Sequence, residues 1–222
     1  MRTATAKGRA TRSTLAWAAA VAAALAAAGC HPRQPVPLGR EGEWAAVRDA
    51  ATRRYVLYDN FDHKATATAT LLSLQVREAR ARRVAEWLGW TEQELQASLA
   101  QERKEHAAGE EFLLAFYTAD WHATDLAGPR SIWRVAVKVE GADVLASRVS
   151  TLDQNSNLVG LFPYVGPFDV VYRVQVPRPP SGDLAGKAFV LEFSSALGKL
   201  PLDYGKPPEA PIDRPWEPTP HP

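Results

Sequence analysis

The chain has 222 residues, 46% hydrophobic, 23% charged and 9% aromatic, proportions that exclude a wholly disordered chain and a collagen-like repeat. Its formal charge of +1 hides an asymmetry, because Arg2, Lys7, Arg9 and Arg12 lie in a leading segment that holds no acid. Without residues 1–29 the balance is 22 basic against 25 acidic side chains, which argues against nucleic acid as a partner, since phosphate binding needs a clustered positive field.

The basic start is followed by an apolar run, Leu15 to Ala28, that contains Trp17, Val21 and Leu25 among alanines. The run falls short of the about 20 residues needed to span a bilayer and has the layout of a secretory signal peptide over residues 1–29. It closes on Leu25-Ala26-Ala27-Ala28-Gly29-Cys30, which resembles the lipobox of bacterial lipoproteins, with Ala27 where that pattern usually carries leucine. The resemblance implies that Cys30 receives a diacylglyceryl group and becomes the new N-terminus. It also implies a cell-envelope location, with membrane lipid as a partner through acylated Cys30. His31 in place of aspartate resembles the outer-membrane sorting pattern of enteric bacteria, which favours the outer membrane, periplasmic face or surface, over the inner one. Two or three acyl chains, at about 0.8 kcal/mol per buried methylene, hold a protein on a bilayer almost permanently. In the alternative, an ordinary signal peptide cut within Ala26 to Ala28, Cys30 is an incidental thiol. Cys30 is the chain's one cysteine, so no intramolecular disulfide is available.

Residues 30–42 carry Pro32, Pro35 and Pro37 and read as an extended spacer. The body over 43–205 is long enough for one domain with a sizeable core. Arg54 to Tyr58 and the threonine–alanine alternation from Ala65 to Thr70 are strand candidates. A helical insertion follows at about 72–108. Leu72, Val76, Ala79, Val84, Trp87 and Leu88 recur near the helical period up to Gly89, while Arg77, Arg80, Arg82 and Arg83, interleaved with Glu78 and Glu86, form a solvated face with local ion pairs. A second helix opens on the capping box of Thr91 and Glu94, carries a thin stripe with Leu95 and Leu99, and ends at Gly109. Glu111 to Thr118 is nearly continuous apolar, as a central strand covered on both faces would be. Trp133 to Val139 alternates, Glu140-Gly141 offers a tight turn, and Ala142 to Val149 completes a hairpin. Phe168 to Val176 and Phe189 to Phe193 alternate as two further strands. From 206 to 222 proline dominates and the segment reads as a disordered or surface-draped tail.

The expected fold is mainly β (α+β): an antiparallel, immunoglobulin-like β-sandwich with an inserted pair of helices. It resembles uncharacterised bacterial envelope lipoproteins with immunoglobulin-like bodies, on no motif beyond the lipobox.

No catalytic motif, phosphate loop or dinucleotide fingerprint is present, and no cofactor is implied. Asp153-Gln154-Asn155-Ser156-Asn157 has the opening spacing of a calcium loop, but Leu158 and Tyr164 stand where glycine and a bidentate glutamate are needed, so an asparagine-rich turn is expected. Asp120, His122 and Asp125 form a candidate metal set, which Asp59, Asp62 and His63, with His106, could join if those segments met in space. Trp121, Phe162, Tyr164 and Phe168, in segments punctuated by glycine and proline, form a candidate binding patch for another envelope protein or a glycan. The alternative is that Leu161, Phe162 and Tyr164 fold back to close the core. The functional expectation is a lipid-anchored binding or structural module, and the alternative is an envelope hydrolase or metal-dependent enzyme using the Asp120/His122 region.

Overall fold

A computed structural model describes residues 42–208. The signal segment 1–29, Cys30 with nearly all of the 30–42 spacer, and the tail from 209 onward lie outside the described residues. The elements are α1 (Gly42–Ala50), β1 (Thr52–Asp59), β2 (Asp62–Leu71), α2 (Leu74–Leu88), α3 (Glu92–Ala107), β3 (Glu110–Thr118), β4 (Arg134–Val139), β5 (Ala142–Leu145), β6 (Arg148–Leu152), α4 (Ser156–Leu161), β7 (Val170–Val176), β8 (Val190–Ser195) and β9 (Gly198–Asp203). They form a mainly β body of two open antiparallel sheets, ordered β1-β2-β3-β7-β6 and β5-β4-β8-β9, with α2 and α3 inserted between β2 and β3.

The threonine–alanine alternation of β2 explains how its two faces differ. Ala65, Ala67 and Ala69 point into the core shared by both sheets, where they lie opposite Thr118, Phe116 and Leu114 of β3. Small residues on β2 leave room for the rings of β3, so the two strands interdigitate. β3 is covered on both faces, as its continuous apolar run predicts. Phe112, Leu114 and Phe116 face the other sheet, while Leu113 and Ala115 join a second cluster with Trp44, Leu72, Val76 and Phe162.

The Gly89 stop and the Thr91–Glu94 cap fall where the sequence places them, whereas α2 starts at Leu74 behind Ser73 rather than at Leu72 and α3 is capped by Ala108 rather than ended by Gly109. The Ser73 hydroxyl accepts from the Val76 amide, Gly89 closes α2 with φ 63°, and Thr91 and Glu94 form a complete capping box on α3. Gly89 serves there because a left-handed residue carrying a Cβ is disfavoured. The arginine face departs from its expected pattern. Arg82 and Arg83 pair locally with Glu78 and Glu86, but Arg77 is buried, and it reaches Glu102 and Glu105 of α3 and Glu111 of β3.

Two further corrections concern β structure. The Glu140-Gly141 turn has positive φ at both residues, the geometry of a two-residue hairpin turn, and pairs Val139 with Ala142. The strand expected to run to Val149 nevertheless breaks after Leu145. The Ala146 amide still bonds Val135, whereas the Ser147 amide bonds Gln175, so β6 joins the other sheet. A corner of two residues leaves the period-two pattern intact and is invisible to it. β9, which holds Pro201, was not expected as a strand; it is tolerated because β9 is a sheet edge. α1 and α4 were also unexpected, being too short for a clear period.

Candidate functional site

Three places in the described body gather polar or exposed groups. The first is the end of the larger sheet formed by the β1–β2 hairpin, the β3–β4 connection and the start of β7. Ala65 pairs with Thr118, and β7 begins at Val170 opposite Phe116, so the turn closed by the Asp169 amide on the Gly166 carbonyl, which carries Phe168, lies at the same end. The β3–β4 connection is tied down at this end. Trp133 Nε1 donates to the Ala123 carbonyl at 2.6 Å, the Tyr172 hydroxyl donates to that of Thr124 at 2.7 Å, and the Trp133 ring packs edge-on against Phe116. Trp121 thereby projects from a single 3₁₀ turn, Trp121–Ala123, with no core to reach. The four most exposed large apolar side chains of the described residues all lie here: Phe61 (101%), Phe168 (82%), Trp121 (75%) and Tyr58 (60%). Tyr58 heads a row of rings with His63 and Tyr117, with centroids 5.5 and 5.2 Å apart, and His63 Nε2 lies 2.7 Å from the Thr66 hydroxyl.

The sequence-derived sites divide at this end. Trp121 and Phe168 are exposed, but Phe162 is buried edge-on against Trp44, and the Tyr164 hydroxyl lies 2.7 Å from that of Thr70. Phe162 and Tyr164 therefore close the core beneath α1, and burial pushes the Tyr164 phenol well up. Phe61 and Tyr58 were not anticipated as part of the patch. The available signal was a ring at the tip of a tight turn, where Asp59 pairs with Asp62 and Asn60 has φ 54°.

The candidate metal residues do other work. Asp120 accepts from the His122 amide, and Asp125 accepts from the amides of Ala127 and Gly128. Lys64 Nζ lies 3.8 Å from Asp59 and 3.6 Å from Asp62. Among the described residues no three His, Cys, Asp or Glu side chains are grouped to hold a metal ion. In the calcium-like stretch Asn155 caps α4 by accepting from the Leu158 amide.

The second place is a cleft of about 510 Å³ between the helix pair and the segment from β6 to α4. Its walls include Val84, Leu113, Leu152 and Phe162, and its charged floor includes Arg80, Glu102, Glu111 and Arg173. Those charges are engaged with one another. Arg80 pairs with Glu102 at 2.7 Å, Arg173 with Glu111 at 3.3 Å, and Arg77 below joins both carboxylates. The cleft is thus floored by the ion pairs that dock α2 and α3 on the sheet.

The third place joins α3, β3 and the 177–189 connection. His106 Nε2 lies 2.9 Å from Asp183, and Arg178 sits 3.5 Å from Asp183 and 3.6 Å from Glu110. Burial, then Asp183, raises the carboxyl of Glu110 against the opposing pull of Arg178, His106 and the Leu184 amide. An acid raised by folding contributes stability that is complete below its ordinary value, about 4.3, and lost as pH rises through the raised one. Glu110→Gln keeps the neutral shape at every pH. The Tm of the unmodified chain should therefore fall relative to Glu110→Gln as pH rises above about 4.3. Parallel Tm curves for the two proteins would show that the buried carboxyl carries no such penalty.

The fold and this end together define a mainly β body that exposes an aromatic surface. No family model, curated protein or solved structure matches the chain. Among the described residues no helix is long and apolar enough to cross a membrane.

Proposed function

We propose that the chain is a lipid-anchored cell-envelope protein, favoured at the outer membrane, whose β-sandwich body of immunoglobulin-like type docks a partner through the aromatic end of its larger sheet. The anchor rests on the basic start, the apolar run and the small residues before Cys30. Support for the sandwich comes from one core contributed by both sheets and from a chain that passes between them three times, after β3, β5 and β7.

The docking role is carried by one observation, the gathering of Phe61, Phe168, Trp121 and Tyr58 at a single end. A ring exposed alone is ordinary, but several exposed rings at one end of a sheet suit an interface, where Trp, Tyr and Phe are enriched. To test it, a benzophenone amino acid is placed at position 121 or 168 of the full chain and irradiated in the source cells. A specific adduct is expected there and not at Leu145 of β5, which is exposed on the other sheet. Failure to form an adduct, or the same adduct from position 145, would remove the docking role. Replacing Cys30 by serine should release the protein from the membrane fraction, and retention would remove the anchor.

A further inference from the structure

We infer that the partner at the aromatic end presents a cationic polypeptide segment, with lysine or arginine side chains set among apolar ones; this rests on the docking role proposed above. The connections at this end, residues 58–64, 119–133, 153–155 and 164–169, carry Asp59, Asp62, Asp120, Asp125, Asp153 and Asp169 against Lys64 and Arg130. All of these aspartates except the half-buried Asp169 are exposed. Asp59 and Asp62 share one ammonium, that of Lys64. Asp120 and Asp125 accept from backbone amides, which hold the carboxylates in place without cancelling their charge, whereas burial raises the carboxyl of Asp169 against the pull of the Gly166 amide and Arg54.

Elsewhere the body is laced with neutralising pairs. Arg77, Arg80, Arg82, Arg83 and Arg103 each face a glutamate. The connections at this end thus carry more carboxylates than cations beside the exposed rings, even with Lys199 at the neighbouring start of β9 counted. Carboxylates attract a cation at long range, and the faces of Trp121, Tyr58 and Phe61 attract it at contact through the ring quadrupole. An anionic bilayer surface would be repelled by the same carboxylates, whose field reaches about 8 Å at physiological salt. A neutral glycan would use the rings and leave the charge without a role.

The test maps the adduct formed from position 121 in cells by mass spectrometry. The expected result is a peptide containing lysine or arginine next to the crosslinked site. The triple variant Asp59→Asn, Asp62→Asn, Asp120→Asn retains side-chain oxygens for the turn contacts and removes three charges, so it should cut adduct yield roughly three- to tenfold, as the summed worth of exposed ion pairs implies. Its circular dichroism and Tm should match those of the parent. A lipid or glycan adduct, a protein segment without basic residues, or a yield unchanged in the folded triple variant would overturn the inference while leaving docking intact. Absence of any adduct would overturn docking itself and the inference with it.

Discussion

Arg77→Ala should destabilise the body by about 3–5 kcal/mol, measured by urea unfolding, because it removes one member of a buried ion network and leaves its partners. Arg77 is only 1% exposed. Its Nε donates to the Leu72 carbonyl at 2.9 Å, and its two terminal nitrogens meet Glu102 and Glu105 at 3.0 and 3.2 Å and Glu111 at 3.3 Å. One side chain thus joins the start of α2 to α3 and to the central strand. After truncation Glu111, itself buried, keeps only Arg173 at 3.3 Å and Gln175 at 3.4 Å. Breaking such a pair is costly because the remaining charge stays out of water, whereas replacing both members by neutral groups of similar shape is much less so. Arg77→Met combined with Glu111→Gln should accordingly recover a good part of the loss. A cost under about 1 kcal/mol for Arg77→Ala would mean that the network behaves as a surface pair.

Phe116→Ala should cost about 3–5 kcal/mol, the usual range for deleting a buried ring. Phe116 is fully buried on β3, lies opposite Ala67 of β2, packs edge-on against Trp133 at 5.3 Å, and meets Phe193 of the smaller sheet at 5.9 Å. It is one of the side chains through which the two sheets touch. The alanine facing it on β2 is too small to fill the space, and Trp133 is held by its hydrogen bond to the Ala123 carbonyl, so much of the cavity term should persist. Phe61→Ala serves as the control. That ring is fully exposed, and its removal should change stability by no more than about 0.5 kcal/mol. If both substitutions cost alike, Phe61 contributes to folding and the aromatic end loses its claim to be a surface kept for a partner.

Local physics made much of the body legible from sequence. The alternation of β4 and β7, the continuous apolar run of β3, the capping box of α3 and the glycine that ends α2 each follow from a period or a cap contained within one segment. Trp121 and Phe168 were legible as candidates because glycine and proline punctuate their segments, although the alternation also drew Phe168 into a strand that in fact begins at Val170.

The same local reading could not tell Phe162 and Tyr164 from Trp121 and Phe168. All four lie in irregular segments, and only the arrival of α1, with Trp44 against Phe162, decides which rings find a core. Composition and periodicity determined a mainly antiparallel β body with an inserted helix pair. Tertiary structure alone decided that Arg77 is buried, that the chain changes sheets between Leu145 and Arg148, and that Phe61 and Tyr58 share an end with Trp121 and Phe168. Each of these outcomes depends on groups more than twenty residues away, and a side chain's solvation is set by whichever neighbours fold against it rather than by its place in a local pattern.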